Sequence, residues 1–352
     1  MVLSDPYLSL RQGHWFKLIC GASYQYLPAV RNLALVYTLA GADCIDTAAD
    51  LAVVAAAQAG VTAAQKMRRQ ALSSDLWCDR SAEPWLMVSL NDGEDPHFRK
   101  AIFDPLKCPA DCWRPCEFVC PAEAIGFDGL NQPAGVIAER CYGCGRCLPV
   151  CPTALIETVS MSASWAAISA QLLPQIDAIE IHTQIGRTQA FETLWKQLQP
   201  SLNRLKLVAV SCPGGDGLVA YLKKLYKIMS PLEVPLVWQA DGRPMSGDIG
   251  VGTTHATIKS GQAVLNARLP GHVQLAGGTN QHTVEKLRAL GLLRSPAQAV
   301  DDLVISGVAY GSYARRLIMP LIEPYARLED HLSPLNAAVQ LARDLVSQLK
   351  YT

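Results

Sequence analysis

Residues 273–280 read Val-Gln-Leu-Ala-Gly-Gly-Thr-Asn, and residues 303–312 read Leu-Val-Ile-Ser-Gly-Val-Ala-Tyr-Gly-Ser. Each is a short apolar run that closes on glycine and leads into a helical stretch. Six earlier runs have the same form: residues 16–20, 44–48, 85–90, 178–183, 205–211 and 235–240. With residues 273–276 and 303–308 they make eight strand candidates. Helical stretches fall between them at residues 29–40, 164–173, 190–198, 218–229, 254–269 and 284–290, with an alanine-rich one ending near Gly60 and a C-terminal helical region. Gly41 stands where a glycine should, just past a helix end. An open doubly wound sheet would alternate in the same way. The count of eight and the glycine closures of the last two runs favour an α/β fold of the (β/α)8, TIM-like barrel type.

The rhythm is interrupted after the third run. Eight of the twelve cysteines fall between residues 101 and 159. This divides the chain into residues 1–100 (barrel strands one to three), an insert at 101–160, and residues 161–352 (strands four to eight with the C-terminal helices). Loops at that end of a barrel strand lie on the face where barrel enzymes build their sites, so the insert is expected beside the mouth.

Composition narrows the class. Half of the 352 residues are hydrophobic and 18% are charged, enough to bury a sizeable core. Lys plus Arg equals Asp plus Glu at 31 each, so no basic footprint for nucleic acid exists at whole-chain level. The first fifteen residues lack the pattern of a secretory signal. No uninterrupted apolar run is long enough for a transmembrane segment: the alanine-rich residues 48–64 carry Asp50 and Gln58. A cytoplasmic, reducing compartment is expected, where clustered cysteines more often bind metal than pair with each other.

The second half of the insert reads Cys141-x2-Cys144-x2-Cys147-x3-Cys151-Pro152, the spacing of the bacterial ferredoxin run. Three thiolates two residues apart reach three corners of one cubane from a tight loop. Gly143 and Gly145 let the backbone close around inorganic sulfide. The first half reads Cys108-x3-Cys112-x3-Cys116-x3-Cys120-Pro121, and the halves align as a repeat: Cys116 to Cys147 and Cys120 to Cys151 are both 31 residues. A pair of four-cysteine zinc sites is the alternative, poorly matched by this spacing. The resemblance over residues 101–160 is to two-cluster ferredoxins. It implies crossed ligation, with Cys108, Cys112, Cys116 and Cys151 on one [4Fe–4S] cluster and Cys141, Cys144, Cys147 and Cys120 on the other. If Cys112 cannot reach an iron, the first becomes a [3Fe–4S] or labile cluster.

Strand alternation puts Ile179 and Ile181 on one face and Glu180 and His182 on the other. In that phase Asp46, Ser89, Asn91, Gln239, Asp241, Gln274 and Lys17 also point into the lumen; a one-residue slip would swap the faces. Lys17, Glu180, His182 and Asp241 are the catalytic candidates. Gly277, Gly278, Gly307 and Gly311 are candidates for holding a phosphate, as in flavin mononucleotide (FMN), through backbone N–H groups, or are plain loop glycines. No Walker loop and no dinucleotide-binding glycine motif is present. Cys20, Cys44, Cys78 and Cys212 are redox thiols or, more ordinarily, small buried hydrophobes. The histidines other than His182, among them His97, form no ligand spacing. Arg315-Arg316 reads as a solvated pair.

Over nearly its whole length, on the run 16–50 (FKLICGASYQYLPAV…), on CPADCWRPCEFVCPAEAI and on CYGCGRCLPVCPTALIE, the chain resembles the cyanobacterial light-dependent period A family. That resemblance implies an iron–sulfur redox sensor whose partners are circadian clock input proteins and electron carriers of photosynthesis. A ferredoxin-coupled oxidoreductase with a flavin or phosphate-bearing ligand at the barrel mouth is the alternative. An electron-transfer module that uses the barrel as a docking platform is a third reading.

Overall fold

The structure, a computed structural model, describes residues 5–70, 83–93, 98–120, 122–127, 135–160, 165–242, 251–294 and 303–350. Cys78 and His97 lie outside the described residues. The strands are β1 (Trp15–Ile19), β2 (Cys44–Ala48), β3 (Trp85–Asn91), β4 (Arg99–Ile102), β5 (Ile125–Gly126), β6 (Gly135–Val136), β7 (Glu157–Ser160), β8 (Ala178–His182), β9 (Leu207–Pro213), β10 (Leu236–Asp241), β11 (His272–Ala276) and β12 (Gly307–Tyr310). Eight of them close a parallel barrel in the order β1-β12-β11-β10-β9-β8-β3-β2. The other four, between β3 and β8 in the chain, form two antiparallel ribbons, β4 with β7 and β5 with β6.

Alternation sorts the strand residues between two cores. Ile179 and Ile181 are fully buried in the cluster that joins the barrel wall to its helices, with Phe16, Leu18, Val208 and Val210. Burying each such side chain is worth about 1.5–3 kcal/mol. Facing inward, Trp15, Cys44, Trp85, Met87, Ala178, Leu207, Ala209 and Val237 pack with Leu10 as a separate apolar plug in the lower lumen. Leu10 lies on the helix Pro6–Gln12, which begins where Asp5 accepts a hydrogen bond from the Tyr7 N–H and ends at left-handed Gly13.

Most strand ends shift by a residue or two from expectation, but the eighth strand is a correction. Residues 303–306 precede it, and Gly307 opens the strand at the floor, paired with Trp15. A Cβ at Gly307 would stand 2.4 Å from the Trp15 carbonyl oxygen and 2.7 Å from its ring. Glycine is needed there for strand packing, so Gly307 does not share the mouth with Gly277, Gly278 and Gly311. The alanine-rich helix also runs on, from Leu51 to Arg69. Gly60 does not end it: a Cβ there would meet the Arg31 carbonyl at 2.1 Å, so this glycine lets the two helices touch. No helix among the described residues is long and apolar enough to cross a membrane.

Candidate functional site

Each half of the insert places its cysteines on a short loop that leads into one turn of helix, Pro115–Phe118 in the first and Cys147–Val150 in the second. The repeat extends to the backbone. Arg114 (φ 57°) and Gly145 (φ 74°), 31 positions apart, are both left-handed; so are Glu123 (φ 47°) and Ala154 (φ 50°), also 31 apart. Glycine takes this conformation freely, whereas Arg114 pays about 1–2 kcal/mol for it.

The halves interlock. Cys120, Cys141, Cys144 and Cys147 line one enclosed space, with Gly143 and Gly145 in its wall. The free Cys108 thiol is hydrogen-bonded to that of Cys112 and lies within electrostatic reach of Cys151, as does Cys116. Among the described residues no three His, Cys, Asp or Glu side chains stand close enough to grip a single metal ion. Backbone N–H groups point at the sulfurs: Ala101 at Cys141 (3.4 Å), Ala124 at Cys120 (3.2 Å) and Leu155 at Cys151 (3.3 Å). Such donors favour the thiolate, the form that binds iron. Burial acts the other way, raising the Cys120 and Cys144 thiols and pushing Cys147 up to about 12. Burial would also raise Cys151, but the Thr153 hydroxyl and nearby backbone N–H groups outweigh it and lower this thiol. Four thiols around one space, with N–H groups aimed at sulfur, are the donor chemistry an iron–sulfur cluster takes.

The second half is seated on the barrel. Tyr142, between Cys141 and Gly143, is 8% exposed, and the Arg315 guanidinium stacks on its ring at 4.4 Å. Arg315 in turn donates to the carbonyls of Ile19 and Cys20, both at 3.0 Å, where β1 ends. Tyr24 meets the Tyr142 ring edge-on. Lys100 reaches from β4 to Gln25 Oε1 and the Ala138 carbonyl. Nothing in the sequence singled out these contacts. Arg315, expected in solvent, is 6% exposed; its role depends on a helix packing 173 residues from Tyr142.

The first half instead presents its loop to solvent. Trp113 and Phe118 are 69% and 80% exposed and stack on each other.

Inside the barrel, above the apolar plug, lies a polar layer. The Lys17 ammonium sits between Glu180 and Asp46, at 3.2 Å from the latter. Glu180 also accepts from Gln239 Nε2 (2.8 Å) and faces His182 Nε2 at 2.9 Å. Gln274 donates to Gln239 Oε1 and accepts from the Trp15 indole N–H at 2.6 Å. Asp46 accepts from Ser89, and Asp241 from Ser211. Burial disfavours every charge here, but the pairs decide the outcome. Asp46 and Glu180 outweigh burial and raise Lys17; Lys17 and His182 hold Glu180 down to about 2. For Asp46 burial prevails over Lys17, and the carboxyl rises to about 6. As pH falls, Asp46 therefore takes up a proton before Glu180 does.

The other candidates are placed as follows. Gly277 and Gly278 lie at the mouth, their carbonyls accepting from Thr257 and Thr253. Gly311 precedes the helix Ser312–Ile322. Cys20 and Cys212 are buried at strand ends, and burial pushes both thiols up to about 12, which suits small buried hydrophobes.

Residues 108–162 match the LdpA Fe-S cluster-binding domain, and residues 172–348 match the Light dependent period A C-terminal domain. The chain is 51% identical over 359 residues to Light dependent period A of Synechococcus elongatus, covering 99% of this chain and 95% of that protein. Among solved structures it is similar to (S)-3-O-geranylgeranylglyceryl phosphate synthase of Thermoplasma acidophilum in complex with sn-glycerol-1-phosphate, at 11% identity and a TM-score of 0.40 over all of both chains. A protein of Aquifex aeolicus is similar at 10% identity and a TM-score of 0.32, over 97% of this chain and 98% of that one.

Proposed function

This chain belongs to the light dependent period A family and carries its iron–sulfur cluster-binding domain, and from that premise we propose that it is a cytoplasmic redox sensor that relays the cell's photosynthetic electron supply to the circadian clock input pathway. In this reading Cys108, Cys112, Cys116 and Cys151 hold one [4Fe–4S] cluster, and Cys141, Cys144, Cys147 and Cys120 the other, as in a two-cluster ferredoxin. If Cys112, in the wider spacing of the exposed loop, does not reach an iron, the first becomes a labile or [3Fe–4S] cluster. Such clusters supply single-electron uptake and release at sites tuned by N–H···S bonds and exposure.

The observation that supports sensing is the stack of Arg315 on Tyr142, which ties a cysteine loop to the end of β1. Two unit charges 4 Å apart interact by about 4 kcal/mol at an effective dielectric of 20, so even at four times that distance about 1 kcal/mol remains, above RT. A change of charge on the cysteine loop beside Tyr142 would therefore act on Arg315. Arg315 shifts its balance between that ring and the Ile19 and Cys20 carbonyls, changing a surface that clock input proteins read. Differential partner binding is what this reading requires. Anaerobic protein should contain roughly eight irons with matching sulfide. Dithionite-reduced and oxidised samples should differ in hydrogen exchange around residues 19–24 and 312–316, and in capture of clock input proteins or photosynthetic electron carriers. Identical exchange and identical capture in both states sink the proposal.

The lumen layer supports a second reading, a ferredoxin-coupled oxidoreductase. Lys17, Glu180, His182 and Asp241 would then hold and move protons, with FMN or another phosphate-bearing ligand held at the mouth by backbone near Gly277, Gly278 and Gly311. Flavin absorbance released on denaturation would favour it, and its absence from anaerobic protein would count against it.

A further inference from the structure

Between the barrel and the insert lies a cavity of about 320 Å3, distinct from the cysteine sites and from the Gly277–Gly278 loop. Pockets for small organic ligands begin at about this size. Ser23 and Gln25 line it from the segment after β1; Ala48, Asp50, Ser89 and Asn91 line it from the ends of β2 and β3 and the turn after β2; Lys100 lines it from β4.

The wall is unusual in its unspent donors. Ser23 is 4% exposed, and its hydroxyl has no hydrogen-bond partner among the described residues. The buried Asn91 Nδ2 has none either, although its Oδ1 accepts from the Gly93 N–H. A buried polar group left unpaired costs about 1–3 kcal/mol, and such a group at a cavity wall marks where a ligand atom belongs.

The balance of spent and spare hydrogen-bonding groups decides the character of that ligand. Asp50 is already compensated: Oδ1 accepts from the Ala52 and Val53 N–H groups at the start of the helix Leu51–Arg69, and Oδ2 accepts from Gln25 Nε2 at 3.0 Å. Lys100, 2% exposed, keeps an N–H to spare: two of its three go to Gln25 Oε1 and the Ala138 carbonyl, while its charge is met at longer range by Cys141, Glu139 and Asp50. Apart from Ser160 on β7, the rest of the lining is apolar: Ala22, Ala49, Leu90, Phe98, Trp165 and Leu194.

We propose that this cavity binds a small organic monocarboxylate with a flat apolar body, its carboxylate taken by Lys100, Ser23 and Asn91. The site goes beyond redox sensing and does not depend on it: it uses no cysteine and no lumen residue named above as catalytic. Ala101, the next residue on β4, donates its N–H to Cys141, so the cavity's cation and a cysteine of the barrel-side group are held by adjacent residues of one strand.

The test is calorimetric titration of anaerobic full-length protein with benzoate and with its neutral isostere benzamide. Benzoate should bind, with benzamide at least tenfold weaker. Ala22→Leu keeps every donor but fills space, and Lys100→Met keeps the stem but removes the charge; each should weaken benzoate at least tenfold. Ser23→Ala should weaken it less. Iron content and melting temperature of each variant, compared with wild type, separate loss of the site from loss of the fold. No benzoate binding, equal binding of benzamide, or benzoate binding unchanged in folded Ala22→Leu and Lys100→Met would each overturn the proposal.

Discussion

The two halves of the insert follow one backbone plan and meet opposite surroundings. Both carry four cysteines, a left-handed residue before the one-turn helix and another three residues past the last cysteine. The second half leans on the barrel through Tyr142 and Cys144, the latter packed against the main apolar core. The first turns Trp113, Phe118 and Leu106 outward and meets that core through Ala122, past its last cysteine. A repeat fixes local geometry, but what each copy does depends on what packs against it. One cysteine loop is packed on the scaffold and the other faces solvent.

Breaking one cysteine in each half should expose the difference most strongly. Cys144→Ser is expected to remove the barrel-side cluster and to lower the melting temperature of the whole protein, since the core contact beneath it is disturbed. Cys112→Ser should lose between one iron and one cluster while the barrel melts as before. Iron analysis with calorimetry distinguishes the two, and equal losses of barrel stability would erase the comparison.

Arg315→Met comes next. It removes a stacked cation and leaves two buried carbonyls short of a donor, for an expected loss of about 2–4 kcal/mol by denaturant unfolding. The electron paramagnetic resonance signal of only the barrel-side cluster should shift. If both signals moved, Arg315 would not belong to one half.

A smaller effect follows from the left-handed pair. Gly145→Ala forces a side chain onto φ 74° and should cost about 1–2 kcal/mol. Arg114→Gly relieves the same conformation at φ 57° but gives up the stacking of Arg114 on Phe127 at 4.4 Å, so its net change should stay within about 1 kcal/mol. Reversal of that order would show that the halves are not equivalent in backbone.

Smallest in stability is Trp113→Ser with Phe118→Ser. Both side chains are mostly exposed, so the change should remain within about 0.5 kcal/mol each. Reduced association of the first half with a partner, read by light scattering or capture, would sharpen its role as the outward face.

Much of this was legible in the chain. The period of two set Glu180 and His182 against Ile179 and Ile181, and the structure shows Lys17, Asp46, Ser89, Gln239 and Gln274 bonded to one another or to Glu180 inside the barrel. The period works because the pleat alternates whatever the neighbours are. Gly307 and Gly60 were misread for the opposite reason. A glycine demanded by a turn and a glycine demanded by a close neighbour look alike in sequence, and only packing shows Trp15 over one and Arg31 over the other. Arg315 was hidden because its partners, Tyr142 and the end of β1, are far from it along the chain.

By itself, then, the sequence determined the alternation of eight strands with helices, the inward phase of the lumen residues, and the repeat of the cysteine spacing. These are local properties, written by strand period, turn chemistry and residue spacing. Tertiary structure alone decided which cysteine loop of the insert packs on the barrel, which cysteines face a common space, that Lys17 neutralises Glu180 from 163 residues away, and that a cavity with unspent donors opens beside Lys100. Those depend on barrel closure and on how the insert docks, and no local pattern of residues encodes the distance between two surfaces that meet only after folding.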